Sequence, residues 1–147
     1  MKIDKYHLKS DETLSVFEFI SVGPNGAIRK IIHFQSTYTP GLYNLAFGDK
    51  HPLTGEIDDL AVTNNGDTDK VLATVTAALY IFLDKNPEAL VYATDSTPAR
   101  TRLYRMGITR FYEEIQQDFF LFGRTNKEFY EFEIGKEYEG FLAQRKF

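Results

Sequence analysis

The sequence predicts an α+β fold: a mixed, mostly antiparallel sheet in the order β-β-β-β-α-β-α-β, followed by a strand-like tail. Three observations carry that expectation. The first half is dense in β-branched and aromatic residues punctuated by Gly, Pro and Asn. Apolar residues then recur at helical spacing from Val71 to Leu83. A short apolar run at 89–94 leads into a proline-started, arginine-rich helix.

Residues 14–22 read as a strand, and Gly23-Pro24-Asn25-Gly26 is a turn signal. Residues 27–36 alternate Ile28, Lys30, Ile32 and Phe34 on one face with Arg29, Ile31, His33 and Gln35 on the other. The two runs make a β-hairpin. After Pro40-Gly41, the alternation of Tyr43, Leu45 and Phe47 predicts a third strand, and a turn holding His51-Pro52 and Gly55 leads to a fourth at 56–63. Asn64-Asn65-Gly66 ends it. Asp67 or Thr68 can cap the next helix, with Asp69 in a first turn whose dipole favours an anion. Val71, Leu72, Val75, Leu79, Phe82 and Leu83 form its apolar face, Ala73, Ala77 and Ala78 allow close packing, and Asn86-Pro87 stops it. The strand at 89–94 is joined through a helix, which predicts a parallel crossover. Asp95, Ser96 and Thr97 are cap candidates and Pro98 suits the first helical position. Ala99, Leu103 and Met106 share one stripe, and Gly107 is expected to end the helix. Residues 108–116 predict a short second helix and 119–124 a strand. Phe129, Tyr130, Phe132, Tyr138, Phe141 and Leu142 supply one or two strands more.

The chain of 147 residues suits one α+β domain over 1–147, with no repeat, linker or low-complexity segment. No cysteine is present, which excludes disulfides, thiolate chemistry and cysteine-ligated zinc or iron–sulfur sites. No apolar run reaches the ~20 residues that span a bilayer. The first residues lack the apolar core of a signal peptide, so no membrane association and a cytoplasmic location are expected. A net charge of −4 argues against a non-specific nucleic-acid binder.

Chemistry is thinly written. Between Ser96 and Tyr112 stand Arg100, Arg102, Arg105 and Arg110 with no acid among them. With the hydroxyls of Ser96 and Thr97, the helix N-terminus and Tyr104 beside Arg100, they form a candidate anion site. The competing interpretation is a solvated face whose arginines meet Glu128, Glu131, Glu133, Glu137 and Glu139 of the tail. Asp49, His51, Glu56, Asp58 and Asp59 cluster at a turn without the spacing of a metal motif, so no metal is expected. Ser96 lacks a nucleophile elbow, and neither a P-loop nor a dinucleotide fingerprint is present. Phe17 and Phe19, with Arg29, Lys30 and His33 on the partner strand, suggest a single-stranded nucleic-acid face. The ββββα opening would also suit a whirly-type nucleic-acid module.

Residues 57–111 resemble the second half of the GNAT acyltransferase fold. There a strand passes through a glycine-rich loop into a helix, and a second strand and helix end in a Leu-Tyr-x-x-Gly-Phe pattern. Leu103, Tyr104 and Gly107 match it, with Ile108 where Phe is usual. The resemblance implies an N-acyltransferase-like fold whose loop cradles the pyrophosphate of acetyl-CoA and whose Tyr104 stands where a general acid often does. The loop here, Asn64-Asn65-Gly66-Asp67-Thr68-Asp69-Lys70, keeps one glycine and adds two aspartates. Like charges ~4 Å apart cost on the order of 4 kcal/mol at an effective dielectric near 20, so the coenzyme site is expected to be lost. The run from Asp95 to Tyr104 also resembles the signature of a bacterial family of unknown function with no assigned activity.

The leading expectation is therefore a small bacterial domain without cofactor, leaning away from catalysis. It would bind an anionic ligand or an acidic protein surface through Arg100–Arg105. A divergent acyltransferase and a single-stranded nucleic-acid module are the alternatives. The thirteen Phe and nine Tyr make a homodimer a further candidate.

Overall fold

The computed structural model describes residues 4–58, 64–94 and 98–147, the side chains of 98–100 excepted. Along the chain run β1 (Lys9–Ser10), β2 (Val16–Gly23), β3 (Gly26–Ser36), β4 (Leu42–Asp49), α1 (Thr68–Lys85), β5 (Leu90–Ala93), α2 (Pro98–Arg110), α3 (Tyr112–Asp118), β6 (Phe119–Thr125), β7 (Glu128–Glu131) and β8 (Gly140–Arg145). The strands form one eight-stranded sheet in the order β1-β2-β3-β4-β5-β8-β6-β7. This is the expected mixed α+β architecture: β4 and β5 pair in parallel, and every other neighbouring pair is antiparallel.

The hairpin of β2 and β3 forms where turn and alternation place it. Gly23 pairs with Gly26 across Pro24-Asn25, and Gly26 takes a φ of 85°, which glycine adopts without strain. Its register sets Phe17 opposite Ile32 and Phe19 opposite Lys30, and all of these point to the helices. The face continues through Leu45 and Phe47 on β4, Val91 and Ala93 on β5, and Phe141 and Ala143 on β8. α1 covers it at close range because Ala73 and Ala78 are fully buried, which lets Phe82 stack on Phe34 with ring centroids 4.4 Å apart. Tyr104 of α2, Ile115 of α3 and Phe119 of β6 belong to the same core. Burying each such aromatic contributes ~1.5–3 kcal/mol by transfer from water.

The helices lie on this one face. The opposite face exposes Ile20 and Val22 of β2, Phe120 of β6 and Phe129 of β7.

Two features depart from expectation. Helix α2 does not end at Gly107 but runs on to Arg110, and α3 follows after Phe111. Gly107 keeps a negative φ and is buried; a Cβ there would lie 3.1 Å from Cδ2 of Leu72. It serves close helix contact rather than a cap. The two-residue β1 was not anticipated, because nothing in Lys9-Ser10 distinguishes it from a loop until β2 is beside it. The tail supplies two strands, and β8 inserts between β5 and β6. Of the strand expected at 56–63, residues 59–63 lie outside the described residues, and Ile57 forms a single bridge with Lys50.

Candidate functional site

Helix α2 has two different sides. Its inner side carries Tyr104 and Gly107, both buried, and Ile108. These line a cavity of about 70 Å³ that is closed by Leu72 and Val75 of α1, Leu45 of β4, Ala93 of β5 and Phe141 of β8. The lining is almost wholly apolar, and the hydroxyl of Thr76 beside it is already donated to the Leu72 carbonyl at 2.8 Å.

The outer side carries Arg102, Met106, Thr109 and Arg110, all exposed, and the half-buried Arg105. These positions recur at intervals of three and four, so they form one stripe. Arg105 Nη1 lies 3.8 Å from Glu137 Oε1, and Arg110 Nε lies 3.7 Å from Asp69 Oδ2. Both separations exceed the ~2.7–2.9 Å of a charge-assisted hydrogen bond. Exposed pairs of this kind contribute ~0–1 kcal/mol and weaken with salt. The arginines thus touch the chain's own acids only loosely.

The structure brings Arg102 and Arg105 onto one surface and sends Tyr104 inward. Ser96 and Thr97 lie outside the described residues, as does the side chain of Arg100. The residues of the expected site therefore divide between a surface and a core.

The loop that would cradle a pyrophosphate is occupied by protein groups. Asp67 accepts from the Tyr6 hydroxyl at 2.5 Å and the Ser21 hydroxyl at 2.6 Å. Burial, then the Asp67 carboxylate, pushes the Tyr6 phenol above its ordinary value. Asn65, 2% exposed, accepts from the Asn25 N–H at 2.7 Å and donates to the Gly26 carbonyl at 2.9 Å. A Cβ on Gly23 would fall 2.1 Å from the Asn65 carbonyl oxygen, so the loop and the hairpin turn are in direct contact. The Lys70 ammonium sits 4.3 Å from the centre of the Tyr6 ring.

Asp49 is tied to Lys30, and His51 Nδ1 accepts the backbone N–H groups of Leu53 and Thr54 at 3.1 and 3.3 Å, so His51 organises its own turn. Among the described residues no group of three His, Asp or Glu could hold a metal; Asp59 lies outside them. Phe17 and Phe19 are 1% and 3% exposed and Lys30 is buried, so these three form core and no stacking surface. The aromatic residues of the sheet that do reach solvent include Phe120, Phe129 and Tyr130. Sequence reasoning missed Phe120 because Phe119-Phe120-Leu121-Phe122 is apolar without alternation. Phe129 and Tyr130 carried a signal in the flanking glutamates of Glu128-Phe129-Tyr130-Glu131.

No curated protein and no solved structure matches the chain. A family model matches it over residues 2–146, nearly its whole length, and with that the chain belongs to the family described as "Family of unknown function (DUF6934)".

Proposed function

We propose that residues 1–147 form one binding domain that holds an anionic partner, an acidic protein surface or a phosphate-bearing ligand, on the outer face of α2. One observation carries this reading: the exposed Arg102 and Arg110 share a stripe with the half-buried Arg105, and its ion pairs stand at 3.7 and 3.8 Å. Guanidinium forks held this loosely keep donors for a carboxylate or phosphate, and Met106 adds an adaptable apolar contact between them. Calorimetric titration with a glutamate-rich peptide, and separately with inorganic phosphate, tests the reading and separates the two partner classes. Binding of at least one, weakening from low to high salt and lost in Arg102→Glu/Arg105→Glu, is expected. Equal binding by the double variant, or binding of neither at low salt, overturns it.

Acyl transfer is the second reading, favoured by the place of Tyr104 in the wall of an apolar cavity beside the parallel pair β4 and β5. The Asp67–Tyr6–Ser21 contacts at the loop weigh against it. Titration with acetyl-CoA decides: micromolar binding would reinstate the enzyme, and none would retire it.

A further inference from the structure

We propose that the free edge of β7 is a docking strand for an extended, lysine- or arginine-bearing peptide, which would add to the sheet as a ninth strand. β7 ends the sheet, and all four of its residues are exposed. It is held out by a two-residue turn, Asn126-Lys127, with φ of 50° and 66°. Thr125 pairs with Glu128 and Gly123 with Tyr130, and the ladder continues as Phe132 N–H bonds the Leu121 carbonyl at 3.0 Å. In an antiparallel ladder the residues between such bonded pairs turn their backbone groups outward. Here those are Phe129 and Glu131, and among the described residues only a long 3.5 Å contact from the Tyr138 hydroxyl reaches the Glu131 carbonyl.

The two edges of the sheet differ. β1 is blunted by its length of two residues and carries Lys9, a common defence of an edge. β7 presents Phe129 at 46% and Tyr130 at 49% exposure, one toward each face of the sheet. An edge shielded against pairing does not carry half-exposed aromatics; an edge that accepts a strand uses them to clasp alternate side chains.

Charge selects the occupant. The hairpin turn, β7 and the return loop (126–139) hold five glutamates against two lysines, a net −3. All five glutamates are exposed, and Lys136 is engaged by Glu133. A second copy at this edge would bring two such hairpins together, whereas a basic strand would set its cations beside Glu128 on one face of the sheet or Glu131 on the other. The acidic segment meets the α2 stripe at Glu137, 3.8 Å from Arg105, and the β7 edge attracts the opposite charge to that stripe.

Fluorescence anisotropy with a labelled Lys-Val-Lys-Val-Lys-Val peptide tests the proposal against two controls: a Thr-Val analogue, and the Lys-Val peptide with its central valine replaced by proline. The Lys-Val peptide is expected to bind about tenfold or more tightly than either control, because one lacks the charge and the other cannot complete a ladder. Glu128→Lys/Glu131→Lys is expected to weaken it by about tenfold or more. In the unmodified protein, amide exchange at Phe129 is expected to slow on adding the peptide, a readout that needs no folded variant. Equal affinity for the proline peptide, or unchanged exchange at Phe129, overturns the proposal. So does sedimentation as a dimer that Glu128→Lys/Glu131→Lys splits, which would assign the edge to a second copy.

Discussion

Lys30 and Asp49 stand directly opposite each other on β3 and β4, the lysine ammonium donating to the carboxylate on the helix-covered face of the sheet. Lys30 is 2% exposed and Asp49 8%, and the ammonium lies 6.0 Å from the centre of the Phe47 ring. Removing two charges from water costs several kcal/mol per ion, and only close pairing offsets it. Removing either partner breaks this buried pairing. Asp49→Ala is therefore expected to lower the unfolding free energy by ~3–5 kcal/mol in urea titrations. Lys30→Met/Asp49→Leu should recover most of that loss, since an apolar pair fits this face. A double variant as unstable as the single one would show that the ion pair is not what the position needs.

Gly107 tests how tightly α2 is held to α1. An added methyl would meet Leu72 Cδ2 at 3.1 Å, and Leu72 borders the cavity of about 70 Å³ into which it can give way. Alanine is favoured over glycine inside a helix by ~1 kcal/mol. Gly107→Ala is thus expected to leave the protein as stable or up to ~1 kcal/mol more so, whereas Gly107→Leu overfills the contact and costs ~1–3 kcal/mol. Thermal melts of both variants check this, and a destabilised Gly107→Ala would mean that Leu72 cannot move.

His33 gives the fold a pH response. It lies on the open face between Val16 and Ala46. Burial holds its imidazole below the ordinary value, and the charge of Asp11 only partly restores it. The unfolded chain therefore takes up this proton first as pH falls through about 6.5. Stability present above that pH is lost progressively down to the lower value of the folded state, and no further below it. The melting temperature should fall between about pH 7 and pH 5, and His33→Gln should remove that part of the slope. An unaltered slope in the variant would assign the effect to other groups.

The hairpin of β2 and β3, the crossover through α1 and the start of the arginine helix at Pro98 were all legible, because each rests on signals within a few residues of one another. Gly107 was not. Whether a glycine ends a helix or lets one pass close to another depends on what stands opposite, here Leu72 from the preceding helix. The candidate site was half legible. The count and spacing of Arg102 and Arg105 come from the chain itself, but the inward turn of Tyr104 depends on which side of α2 meets the sheet.

By itself the sequence determined the β2–β3 hairpin, β4, α1 and the start of α2, that β5 runs parallel to the strand joined to it through α1, and that an acid-free helix carries the arginines. These follow from turn chemistry, periodicity and connection length, which are local. The tertiary structure alone decided that β8 enters between β5 and β6, that Lys30 is core while Phe120 faces solvent, and that β7 is left as an open edge. Each of those depends on burial, and burial is set by residues far apart in the chain that meet only when the sheet closes.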